Sequence, residues 1–190
     1  MRANVFGADQ RISSSAAVIL AIVCIAATPA RAADEMTPNG GFEKGFAGWT
    51  LWGKNAKLIT LESASAHSGT NSARIQKGFN ALYFTTPLTP GKACELRFFY
   101  RLGGANPAGQ VALNFARKGG PLRSAGSETF KTEPSSAGDA GAWTEFRKVF
   151  LPSPSAASCQ FAFTAGDGST FWIDDVSLNE VPRPAGLAPA

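Results

Sequence analysis

Few side chains in this sequence are arranged for catalysis. His67 is the sole histidine. It sits in the turn His67-Ser68-Gly69-Thr70-Asn71, where a structural role outweighs that of a general base. No Gly-x-Ser-x-Gly elbow, His-Glu-x-x-His or Cys-x-x-Cys occurs. Gly103-Gly104 and Gly119-Gly120 read as loop glycines rather than phosphate cradles. Acid pairs for glycoside hydrolysis can come from distant parts of a chain, and spacing does not test them. The chain is therefore expected not to be an enzyme. Other side chains suit binding. Phe99 with Arg97, Arg101, Asn114 and Gln160 combines an aromatic ring, guanidinium groups and amides. A flat ring covers the C–H face of a pyranose, while amides and arginine hydrogen-bond its hydroxyls.

These side chains depend on the elements that hold them. Beyond residue 32 no amphipathic helix longer than two turns is legible. Runs of alternating or apolar residues recur instead, bounded by Gly, Pro, Asn and Ser. They predict strands over residues 50–52, 56–62, 72–76, 81–85, 93–102, 110–116, 144–151, 158–164 and 170–179. Residues 124–142 hold few large apolar groups and read as a long surface loop. Many short strands between turns predict an all-β fold, a sandwich or jelly roll. Over 93–102 the alternation gives Cys94, Leu96, Phe98, Tyr100 and Leu102 to the core. Over 110–116 it gives Val111, Leu113 and Phe115, and over 158–164 Cys159, Phe161 and Phe163. The face opposite the core then carries Arg97, Phe99, Arg101, Asn114 and Gln160 together. An ordinary solvated sheet face with one stray Phe fits the same alternation.

Composition agrees with this class. The 190 residues include 20 Gly, 12 Pro and 14 Phe but only 2 Met, and 17% are charged. That is neither a helical bundle nor a disordered chain. Residues 1–32 read as a cleavable signal peptide, with Arg2 and Arg11 before an apolar run over 16–27 and the small-x-small site Ala30-Arg31-Ala32. The apolar run is short for a membrane span, and Val23 before Cys24 departs from a lipoprotein box. Cleavage after Ala32 would leave 158 residues with 15 basic and 13 acidic side chains. So near-neutral a chain is not expected to bind nucleic acid. It is expected to be secreted or periplasmic, free of the membrane after cleavage, and monomeric. One domain is expected over residues 33–180, with a disordered tail over 181–190. Cys94 and Cys159 remain in the exported chain and face the core; either a disulfide or two buried thiols is open.

The order of several segments is recognisable. Asn39-Gly40-Gly41-Phe42-Glu43 with Gly48-Trp49 comes first, then His67-Ser68-Gly69-Thr70-Asn71-Ser72 with Ala73-Arg74-Ile75. Pro90-Gly91-Lys92 precedes a long strand, Trp143 precedes the 146–150 strand, and Phe171-Trp172-Ile173-Asp174-Asp175-Val176-Ser177-Leu178 closes the series. This resembles the carbohydrate-binding modules of the CenC type, which are galactose-binding-like β-jelly-roll domains. The resemblance implies a structural calcium ion held by Glu43 and Asp174, completed by Ser68 and Asn71 of the turn. Calcium takes six to eight hard oxygens, so such a set is chemically reasonable. The alternative is that Glu43 and Asp174 hydrogen-bond loop amides without metal. Asp174 shares parity with Trp172, Val176 and Leu178 and is expected to point inward.

The resemblance also implies a poly- or oligosaccharide ligand across the concave sheet. With the parity reading, it nominates Trp52, Tyr83, Phe99, Arg101, Asn114 and Gln160. Trp49 is assigned to the core, as are Trp143 and Trp172, and Trp52 is a platform only if a bend intervenes. Two classes follow: an exported non-catalytic sugar-binding protein, or a structural or adhesion jelly roll without a sugar site.

Overall fold

Alternation and turn residues build ten strands in the computed structural model, which describes residues 35–76, 80–105, 107–131 and 141–189. The expected signal peptide lies outside the described residues. The strands are β1 (Thr50–Gly53), β2 (Ile59–Glu62), β3 (Ser72–Gln76), β4 (Asn80–Pro87), β5 (Ala93–Gly104), β6 (Ala108–Ala116), β7 (Arg123–Lys131), β8 (Thr144–Phe150), β9 (Ser158–Ala165) and β10 (Ser169–Val181). Sheet I has the order β1-β4-β9-β6-β7 and sheet II the order β2-β3-β10-β5-β8. Every ladder between these strands is antiparallel. The two sheets form the expected all-β jelly-roll sandwich.

The core lies between the sheets and is aromatic. Phe84, Phe161 and Phe163 from sheet I meet Phe98 and Phe171 from sheet II, all essentially inaccessible. Phe98 and Phe163 pack edge-to-face with centroids 5.2 Å apart, a favoured arrangement of ring quadrupoles. Burying such a side chain contributes about 1.5–3 kcal/mol. Trp49 joins this core, against Phe42 and Phe84, and its indole N–H donates to the Pro38 carbonyl at 2.7 Å.

Four expectations about elements change. Residues 124–142 are not one loop: β7 runs through 123–131 and pairs with β6. It is polar because it is an edge strand; only Phe130 is buried, against Phe98 and Phe146. Residues 56–58 form a 3-10 turn before β2 rather than one strand with it. Residues 181–189, expected as a tail, continue in order: Val181 ends β10, Arg183 donates to the Leu187 carbonyl at 2.7 Å, and Pro189 bridges Leu151. Trp52 needs no bend, since it lies three positions beyond Trp49 and an odd spacing already puts them on opposite faces; Trp49 is 7% exposed and Trp52 59%.

The cysteines are two free, buried thiols, not a disulfide. Burial pushes the Cys94 thiol up to about 11 and, with Cys94 close by, raises Cys159 further. Protonated thiols in an apolar core pack as small hydrophobes.

Candidate functional site

The outward face of sheet I is built by register. Trp52 pairs with Ala81, and the row continues through Thr164, Gln110 and Thr129. A second row holds Thr50, Tyr83, Ala162, Ala112 and Ser127, and a third Thr85, Gln160, Asn114 and Ser124. No position in these rows is charged. Alanines occupy the middle of the face, so larger side chains flank a low centre. Trp52 stands at one margin, the most exposed large hydrophobic residue among those described. Asn114 Nδ2 donates to Gln160 Oε1 at 3.3 Å, and Gln110 Nε2 to Ser127 Oγ at 3.2 Å. Such amides are pre-aimed and keep further donors and acceptors for hydroxyls.

Four of the six nominated residues, Trp52, Tyr83, Asn114 and Gln160, thus share one face. Phe99 and Arg101 do not. They lie on β5, in sheet II, and face away from the core on the opposite side of the sandwich. Parity alone says in or out; it does not say which sheet a strand joins. Gln110, Thr164 and Thr129 were not nominated, although the outward parity of Gln110 and Thr164 was legible.

Phe99 and Arg101 belong to a different construction. Arg74, Trp172 and Arg101 follow one another across sheet II, and Trp143, just before β8, lies against Arg101. The Arg101 guanidinium lies 4.5 Å from the Trp172 ring centroid and 5.2 Å from that of Trp143, and Arg74 lies 5.8 Å from Trp172. Trp143 and Trp172 are therefore half-buried members of a cation–π ladder, not core residues. The Nε groups of Arg74 and Arg101 have no hydrogen-bond acceptor among the described residues; ring faces meet the cations instead. Burial holds Arg101 below the ordinary arginine value, against Glu62 and reinforced by Arg74. Beside the ladder His67 stacks on Phe99, centroids 3.6 Å apart.

The residues assigned to calcium form a hydrogen-bonded clasp. Glu43 Oε1 accepts the N–H groups of Thr70 and Asn71, both at 2.9 Å, and Oε2 accepts the Thr70 hydroxyl. Asp174 Oδ2 accepts the N–H groups of His67 at 2.7 Å and Ser68 at 3.2 Å, and Oδ1 accepts that of Asp175 at 2.8 Å. Asp175 takes the Ser68 hydroxyl at 2.7 Å and shares a 2.6 Å hydrogen bond with His67 Nδ1. The turn can approach so closely because Gly69 has φ +62° and no side chain; a Cβ there would lie 2.5 Å from Glu43 Oε1. The turn thus presents N–H donors, where calcium needs oxygens. This donor set does not fit a calcium ion, and no group of three or more acidic, His or Cys side chains suited to a metal occurs among the described residues.

Asp174 is fully buried, as expected, but by another route. It pairs with Phe99 on the outward side of β10, beneath the 67–71 turn. The register then shifts between Asp174 and Ser177, with Asp175 at φ +48°, and returns Val176 and Leu178 to the core. Desolvation pushes the Asp174 carboxyl up to about 6, opposed by its N–H donors. The Thr70 hydroxyl and the N–H groups of Thr70 and Asn71 hold the exposed Glu43 carboxyl below its ordinary value.

Against known proteins, the carbohydrate binding domain family CBM_4_9 matches residues 34–170. The chain belongs to this carbohydrate-binding family. Among solved structures, this carbohydrate-binding domain is similar to a Family 16 Carbohydrate Binding Module-2, with TM-score 0.59 and 17% identity over 76% of this chain and 99% of the other. It is also similar to the CBM22-1 xylan-binding domain from Paenibacillus barcinonensis Xyn10C, with TM-score 0.59 and 15% identity over 82% and 99%. A CBM61 module in complex with beta-1,4-galactotriose gives TM-score 0.55 and 19% identity over 77% and 99%. At these identities the likeness is one of fold. No curated sequence relative matches. No helix among the described residues is long and apolar enough to cross a membrane.

Proposed function

We propose that this carbohydrate-binding domain holds a poly- or oligosaccharide across the outward face of sheet I, as part of an exported, non-catalytic protein. The observation that carries the reading is the pairing of the exposed Trp52 with rows of uncharged hydroxyl and amide side chains. Trp52 and Tyr83 supply ring faces for the sugar's C–H surface, and Gln110, Asn114 and Gln160 meet its hydroxyls. That related folds are described as binding xylan and galactotriose supports the same use of this fold. Phe99 and Arg101 play no part in this site, since they face the other side. We also propose that the clasp of Glu43, Asp174 and Asp175 secures the 67–71 turn through N–H donors where the resemblance expects calcium.

Affinity electrophoresis of the purified protein on xylan, β-1,4-galactan and β-glucan gels tests the binding. Retardation on at least one glycan is expected, with Trp52→Ala weakening it about tenfold or more, the scale of a lost aromatic anchor. The Arg101→Ala variant should bind like the parent. Absence of retardation on every glycan would instead leave a structural or adhesion jelly roll.

A further inference from the structure

Seven arginines lie among the described residues, and five have evident partners. Arg97 and Arg147 pair with Glu145 and Glu95. Arg74 and Arg101 lie over indoles, and Arg183 donates to a carbonyl. Arg117 and Arg123 have no ion-pair partner among the described residues, and both line one open pocket of about 520 Å³. That volume falls in the usual range for small-ligand sites.

The pocket is formed where the β6–β7 connection meets the loop between β8 and β9. The first wall is a tight turn, closed by the Gly120 N–H donating to the Arg117 carbonyl at 2.9 Å. The second carries Ser153 and Ser155, whose hydroxyls lie 3.1 Å apart. The Ala157 N–H donates to the Ala116 carbonyl at 2.8 Å and ties the two walls together. No carboxylate lines the cavity. Two guanidinium groups without an ion-pair partner among the described residues, with serine hydroxyls on the second wall, favour an anion, and a guanidinium fork matches a planar carboxylate best.

Its position names the anion's carrier. Ser124 lines the pocket and also pairs with Asn114 in the third row of the sheet I face. Ser124 thus joins the end of the Gln160–Asn114 row to the rim of the pocket. We propose that Arg117 and Arg123 form an anion subsite for the carboxylate of a uronic-acid unit on the bound glycan. The inference rests on the sheet I reading and narrows its ligand to an acidic polysaccharide.

The test measures dissociation constants of the purified protein for glucuronoxylan and polygalacturonate, each compared with the same polymer after reduction of its carboxyl groups. At least one native polymer should bind about tenfold tighter than its reduced form, the scale of a charge-assisted contact. Raising salt should shrink that preference. Replacing both arginines (Arg117→Gln with Arg123→Gln) should abolish the preference while binding of the reduced polymer and the thermal midpoint stay unchanged. Trp52→Ala should weaken native and reduced polymers alike. Equal affinity for native and reduced polymers would overturn the subsite and leave the sheet I reading standing. A preference that survives in the double variant would also overturn it. Failure to bind either polymer in any form, together with every neutral glycan, would overturn both.

Discussion

At Asp174 a carboxylate is buried under three N–H donors, and its protonation is set by the contest between desolvation and those donors. Desolvation wins, leaving the folded pKa at about 6 against an ordinary 3.8. Between those values the folded state binds more protons than the unfolded chain, so the Asp174 contribution to stability falls as pH rises from about 4 to 6. Glu43 works the other way: its lowered value adds stability above 4.5 that is lost as pH falls below it. Denaturation across pH 4.5 to 7 should therefore show a pH-dependent difference between the parent and Asp174→Asn on the order of 2 kcal/mol, the parent gaining stability as pH falls. Parallel curves for the two proteins would refute this account. The sequence marked Glu43, Ser68, Asn71 and Asp174 as one constellation, and the fold does gather them. It could not say that the turn would offer N–H groups rather than carbonyls, because that depends on the path of Gly69.

Strand parity was legible wherever one face is apolar. Residues 93–102, 110–116 and 158–164 all turn the predicted side chains to the core, Tyr100 and Leu113 only partly buried there, since a slip by one residue would expose the whole apolar set. Two features escaped. The assignment of β5 to one sheet and of β6 and β9 to the other is a long-range fact, and it split Arg101 from Asn114. The edge strand β7 escaped because its outer face and most of its inner face meet water. Its single anchor is Phe130, packed on Phe98, Tyr100, Phe146 and Phe171. Phe130→Ala should cost about 3 kcal/mol, as for other buried phenylalanines, and lower the urea midpoint accordingly. A change within a few tenths of a kcal/mol would mean that β7 is held by backbone pairing alone. The Lys148–Glu128 ion pair between β8 and β7 is exposed and adds little beside it.

For the described residues as a whole, the first segment is tied to the last strand. The Met36 N–H donates to the Leu178 carbonyl at 2.9 Å, and Glu35 accepts the N–H groups of Thr37 and Leu178. Gly40 lies so close to β10 that a Cβ would fall 1.8 Å from the Val176 carbonyl oxygen. With the 67–71 turn clasped as well, the fold is closed by its own donors. Thermal midpoints in calcium and in chelator should coincide; a rise of several degrees with calcium would show a metal site in place of the clasp, since a ligand of the native state alone must stabilise it. The four tryptophans have meanwhile been sorted by the two sheets into different surroundings. Trp49 lies in an aromatic core, Trp143 and Trp172 flank guanidinium groups, and Trp52 alone stands largely in water. The protein thus carries two optical channels. Emission quenched by a dissolved quencher comes first from Trp52 and reports what lies on sheet I, while the shielded remainder reports whether the sandwich is intact.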